Sequence, residues 1–169
     1  MKALILIADG FEDLEMFYPW YRLREEGIEV KVAAPSGHRI TGQHGYQMVP
    51  DTPIRELNPS EYDLLLIPGG ASPEQLRLRE EAVDVARTFM DEDRRVAAIG
   101  RGIQLLISAG ALSGRRATCA AALRDDLRAA GGVYLDEATV TDGNLSTCRC
   151  STDLPDFCRQ LLASSGSRT

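Results

Sequence analysis

The chain has 169 residues and a formal net charge of −6. That length predicts one domain with a sizeable core, and the negative charge argues against nucleic acid or an anionic membrane surface as the main partner. No apolar run approaches the roughly 20 residues needed to cross a bilayer. The four cysteines, Cys119, Cys148, Cys150 and Cys158, are confined to the last third, unlike the framework of a disulfide-stapled secreted domain. A cytoplasmic protein is expected.

In chain order, Ala3–Ala8 is a continuous apolar run closed by Asp9-Gly10, the pattern of a buried parallel strand. Phe11 to Glu15 opens a helix with acids in its first turn, where the dipole favours them. It is expected to loosen at Pro19 and stop at Gly27. Ile28–Ala34 is a second strand. Arg39–Pro50, with turn glycines at 42 and 45, reads as a hairpin-like excursion at the sheet edge. His38 and His44 fall in that excursion, as surface or interface residues. Pro53–Tyr62 reads as a turn or short helix. Leu64–Ile67 is a buried strand closed by Pro68-Gly69-Gly70. A helix is expected next, with Ser72 as its N-cap and Pro73 at its first position, then another over Glu81–Met90.

The stretch 96–106 is the centre of the chain. A strand over 96–99 hands over to a helix over 102–109 through Gly100-Arg101-Gly102. Such corners present one side chain to a site and leave helical N–H groups facing it. Here the corner residue is glycine. Arg116–Ala120 reads as a strand and Leu123–Ala130 as a helix. Asp142-Gly143-Asn144 is a hairpin turn, and Leu154–Leu162 is the last helix, with Cys158 on its core stripe. Alternating strands and helices predict an α/β sandwich with a mostly parallel sheet. One domain over 1–163 is expected, followed by a polar tail over 164–169. The functional crevice should lie beyond the strand carboxyl ends, at loops 9–15, 68–74, 100–103 and 118–121, with 147–151 beside them.

The motifs Asp9-Gly10-Phe11-Glu12-Asp13-Leu14-Glu15, Ile40-Thr41-Gly42-Gln43-His44-Gly45, Leu66-Ile67-Pro68-Gly69-Gly70 and Leu123-Arg124-Asp125-Asp126-Leu127 resemble the PfpI/ThiJ family of the class I glutamine amidotransferase-like superfamily. The resemblance spans nearly the whole chain. It implies a flavodoxin-like three-layer sandwich assembled as a homodimer or larger homo-oligomer. It also implies cysteine peptidase, glyoxalase, deglycase or oxidative-stress-sensing activity. Those activities rest on Ala-Ile-Cys-His-Gly at the corner, where this chain has Ala98-Ile99-Gly100-Arg101-Gly102. Glycine supplies no thiolate, so a mechanism through a corner cysteine is excluded and enzymatic activity stays open. By resemblance, Glu15 is the carboxylate against the nucleophile and Glu12 a second pocket acid. Gly69-Gly70 is the oxyanion loop, and Glu74 an acid used across a subunit interface.

Three readings of the cysteines are open. Cys119, Cys148 and Cys150 form a trithiolate for a soft metal such as Cu(I) or Zn; or Cys119 or Cys148 is a relocated nucleophile or redox thiol; or all three simply pack. Outside these, Gly69, Gly70, Gly100 and Arg101, with Glu12, make a pocket for a small molecule or an ion in a non-catalytic pseudoenzyme.

Overall fold

The computed structural model describes residues 1–163; the expected polar tail, 164–169, lies outside the described residues. The strands are β1 (Lys2–Leu6), β2 (Glu29–Ala34), β3 (Ile40–Thr41), β4 (Gln47–Met48), β5 (Thr52–Pro53), β6 (Leu64–Ile67), β7 (Arg95–Ile99), β8 (Arg116–Ala117), β9 (Val133–Tyr134), β10 (Thr139–Asp142) and β11 (Leu145–Cys148). The helices are α1 (Asp13–Glu25), α2 (Ser72–Leu76), α3 (Glu80–Asp91), α4 (Ile103–Ser108), α5 (Arg124–Ala129) and α6 (Leu154–Ala163). Short 3₁₀ turns cover Ile54–Glu56, Pro59–Glu61, Gly100–Gly102, Ala121–Leu123 and Ser151–Asp153. None of these helices is long and apolar enough to cross a membrane.

Seven strands form one sheet in the order β10-β11-β7-β6-β1-β2-β5. All neighbouring pairs are parallel except β10–β11, the hairpin at the edge. Alternation along the strands divides the core into two layers. Leu4, Leu6, Leu65, Ile67, Val96 and Ala98 face one side, against Phe89 of α3 and Leu105 and Leu106 of α4. Ile5, Ile7, Leu64, Leu66, Ala97 and Ile99 face the other, against Met16 and Leu23 of α1 and Phe157, Cys158 and Leu161 of α6. This is the expected flavodoxin-like three-layer α/β sandwich, buried on both faces as a parallel sheet requires, and Cys158 is core as read.

Local departures have physical reasons. The excursion 39–50 is a two-residue antiparallel ladder, β3 with β4. Its turn is fastened to α1 by Asp13, whose buried carboxylate accepts the N–H groups of His44 (2.9 Å) and Tyr46 (3.0 Å). α1 runs unbroken through Pro19. Ser72 is not the N-cap of α2. It is the first helical residue, and its buried hydroxyl accepts the N–H of Ala8 at 2.8 Å, joining α2 to the end of β1. The strand read over 116–120 is only two residues long and pairs with β9 outside the main sheet.

Strand order reverses between β1 and β6, since β1 continues to β2 on one side while β6 and β7 extend the other. Crevices of parallel sheets open at such a switch point. Here the loops leaving the two strands meet, through an isolated bridge between Phe11 and Gly70.

Candidate active site at the emptied corner

Four adjacent strands, β11, β7, β6 and β1, deliver their carboxyl ends to one place. β7 leads directly into Gly100, whose φ is +56°. This left-handed conformation is what a strand-to-helix elbow demands, and glycine adopts it without the penalty of a Cβ. A Cβ built on Gly100 would lie 3.0 Å from Oε1 of Glu15 and 3.4 Å from its Oε2. The direction in which a corner side chain would project is therefore occupied by a carboxyl group. The N–H of Arg101, in the first turn of the following helical segment, has no upstream helical acceptor.

Glu15 comes from the first turn of α1. Glu12 is the N-cap, its Oε2 accepting the N–H of Glu15 at 2.8 Å. That cap turns the Glu15 side chain inward, where it is 5% exposed. Its Oε2 accepts the N–H of Gly69 at 2.7 Å. Its Oε1 is 3.2 Å from the hydroxyl of Ser151, which is equally 3.2 Å from Oε2 of Glu12. Burial pushes the Glu15 carboxyl up from 4.5 to about 7. The Gly69 N–H opposes the rise, the neighbouring Glu12 charge adds to it, and Ser151 opposes it. Near neutral pH, Glu15 is thus poised between acid and carboxylate, which suits proton transfer or hydrogen-bond donation. On the solvent side, Nε2 of His44 lies 3.5 Å from Oε1 of Glu12.

Glu12, Glu15, Gly69, Gly70, Gly100 and the main chain of Arg101 therefore stand together. Arg101 is not aimed at the corner with a free charge, because its guanidinium pairs with Glu74.

Of the cysteines, only Cys148 borders them, as a buried thiol near Glu15. Cys148 is opposite Ile99 in the β11–β7 register and is buried on that residue's face, with α1 and α6. Cys119 is buried in the opposite layer, with Leu105 and Leu127. The main chain beside Cys119 does reach the corner, through the N–H of Ala120 donating to the carbonyl of Gly100 at 3.1 Å, but the thiol turns away. Cys150 is half-buried, its Sγ 3.0 Å from Oγ1 of Thr152 and 3.4 Å from Oδ2 of Asp153. The Cys119/Cys148/Cys150 trithiolate is corrected accordingly: the sheet separates two of its sulfurs. Among the described residues no group of three or more His, Cys, Asp or Glu could hold a metal ion. The relocated nucleophile fares no better. Burial pushes the Cys119 thiol up to about 12 and raises that of Cys148 further still. Neither supplies thiolate near neutral pH.

A first prediction follows from these burials. In the native protein, one thiol, Cys150, is expected to react promptly with a disulfide reagent such as Ellman's reagent. Cys119, Cys148 and Cys158 should react only on unfolding. Prompt labelling of two or more, located by peptide mass, would contradict the packing described.

Ser151 is the site residue that sequence reasoning missed. It opens the 3₁₀ turn before α6, and Cys150, fully extended at φ −164° and ψ 177°, carries the chain from β11 to it. The only available signal was its place at the end of a strand read as bordering the crevice.

A model of the DJ-1/PfpI family matches residues 1–164. A protein of Archaeoglobus fulgidus is 51% identical over 162 residues, covering 96% of each chain. Deglycase PfpI of Pyrococcus furiosus and a deglycase of Thermococcus kodakarensis are each 45% identical, over 96% of this chain and 98% of theirs. Among solved structures, a two-domain protein from Anabaena variabilis with DJ-1/ThiJ/PfpI-like and ferritin-like domains superposes with a TM-score of 0.96 at 36% identity. It covers 98% of this chain, which spans half of that one. The fold is shared with Schizosaccharomyces pombe DJ-1, at a TM-score of 0.90 and 21% identity over 99% of this chain and 93% of that one.

Proposed function

The chain belongs to the DJ-1/PfpI family, and on that premise we propose that it acts without thiol chemistry, binding a small carbonyl-bearing molecule at the emptied corner. The observation that carries this reading is the carboxyl of Glu15 lying against the place where a corner side chain would project. With no side chain on Gly100, the Glu15 carboxyl is itself the group that faces the corner, and a ligand would be recognised by it directly. A neutral Glu15 donates a hydrogen bond to a carbonyl oxygen, where a Glu15 carboxylate repels it. The N–H of Arg101 adds a second donor at the helix start. The deglycase names of relatives at 45% identity support sugar-derived carbonyl compounds as the ligand class. Self-association belongs to the same reading. Its support is the exposed strip of Leu14, Tyr21 and Tyr46, beside a groove of about 370 Å³.

The test uses dihydroxyacetone as ligand and methylglyoxal as substrate. Dihydroxyacetone is expected to raise the unfolding temperature at pH 6 and to do so much less at pH 8.5, where Glu15 has lost its proton. Glu15→Gln keeps a neutral donor, so its binding should persist at both pH values. Methylglyoxal turnover is expected to be absent. No binding at either pH, or turnover abolished by Cys148→Ser, would overturn the reading.

A further inference from the structure

The hydroxyl of Ser151 stands between two carboxyl groups, 3.2 Å from Oε1 of Glu15 and 3.2 Å from Oε2 of Glu12. It has one proton to donate and lone pairs to accept with, so it cannot donate to both acids at once. Both contacts are satisfied together only when one carboxyl carries a proton and gives it to the Ser151 oxygen. The three groups then share protons as a chain. One end of the chain, Glu15, is buried against the corner; the other, Glu12, lies beside His44, whose side chain is 68% exposed.

We propose that Ser151 is a proton relay, the positioning residue through which buried Glu15 exchanges its proton with Glu12 and so with solvent. In the step, the Oε1–H bond of Glu15 breaks and its proton passes to Oγ of Ser151. The proton of Ser151 passes to Oε2 of Glu12. One O–H bond is lost at Glu15, one is formed at Glu12, and Ser151 ends as it began. The reverse step restores the acid. The inference rests on the reading of Glu15 as the ligand's donor: with a ligand bound the single Glu15 proton turns to it, and without one that proton is shared with Ser151.

The surroundings confine the traffic to this route. On α1, the groups facing Glu15 are Glu12 and the backbone; from β6 comes the N–H of Gly69, which holds Oε2 and leaves Oε1 for the proton. From β11 comes the Cys148 thiol, kept protonated by burial and itself donating to the carbonyl of Cys150 at 3.3 Å. From β7 comes only the side-chain-free Gly100. The nearby guanidinium groups are engaged elsewhere, Arg101 with Glu74 and Arg149 with Asp153 and Asp136, both at 3.1 Å.

Ligand-free protein suffices for the test, so failure here is distinguishable from failure to bind a carbonyl compound. The carboxyl carbon of Glu15 is followed by NMR between pH 4 and 9 in the wild type, Ser151→Thr, Ser151→Val and Ser151→Ala. Threonine and valine have the same shape and differ in the hydroxyl. Because Ser151 donates to the ionised form, its loss disfavours ionisation. In Ser151→Val the Glu15 midpoint should rise by about half a pH unit or more, and its resonance should broaden as proton exchange slows. Ser151→Thr should titrate like the wild type. Ser151→Ala gives the same comparison should valine compromise folding. A valine or alanine variant that titrates and exchanges like the threonine variant would overturn the relay.

Discussion

Gly70→Ala is expected to destabilise the protein by about 3–4 kcal/mol, measured by urea unfolding, and to abolish ligand binding. Gly70 has a φ of +78°, and a Cβ there would lie 2.4 Å from the carbonyl oxygen of Gly10 and 2.5 Å from the amide nitrogen of Glu12. Both are main-chain atoms, so no side-chain rotation relieves the clash. The loop must part from the loop after β1. In doing so it breaks the hydrogen bonds from Glu12 N–H to Gly69 (3.1 Å) and from Ala71 N–H to Gly10 (2.8 Å). The first of these holds the N-cap of α1, so Glu12 and then Glu15 lose their placement.

Gly100→Ala is the useful comparison. Its φ is also positive, but the nearest atom to the new Cβ is a carboxyl oxygen at 3.0 Å. The conformational cost of about 1–2 kcal/mol is then the main one. Equal losses for the two variants would show that the Gly10–Glu12 contact is not what matters at Gly70.

How far the site was legible follows from the same residues. Runs such as Ala3–Ala8 and Leu64–Ile67, each ended by a glycine-containing turn, fix buried strands and the ends where loops gather. Glu12, Glu15, Gly69, Gly70 and Gly100 were therefore legible as neighbours. What the pattern could not supply was the face on which a side chain leaves the main chain. Cys119 sits on a segment whose backbone touches Gly100, but that segment is not a strand of the main sheet, so no alternation argument fixes where its thiol points. Cys148 is on a strand, but which layer it enters depends on its pairing with Ile99, a register between segments far apart in the chain. Ser151 was legible only as the end of a segment bordering the crevice, and its role was not, for a related reason: it matters only because β11 is inserted beside β7 and its exit turns back over the start of α1.

Glu15 makes the stability of the fold depend on pH in a direction opposite to that of a salt-bridged acid. Its carboxyl titrates at about 7 when folded and near 4.5 when unfolded, burial being the main cause. Between these values the folded state binds more protons than the unfolded one, so stability falls as pH rises. The contribution is fully present below pH 4.5 and gone above about 7. At 1.36 kcal/mol per unit, the total is roughly 3 kcal/mol. Glu15→Gln removes the titration while keeping an oxygen to accept the Gly69 N–H and an amide to donate to Ser151. The variant should match the wild type at pH 4 and exceed it by about 2–3 kcal/mol at pH 8.5. Other titrating groups cancel in the difference between the two proteins, so urea unfolding at pH 4, 5.5, 7 and 8.5 isolates this carboxyl. Parallel curves for wild type and variant would mean that Glu15 is not held as a buried acid. In that case a carbonyl ligand would meet a carboxylate at the corner, and binding at pH 6 could not depend on a proton held there.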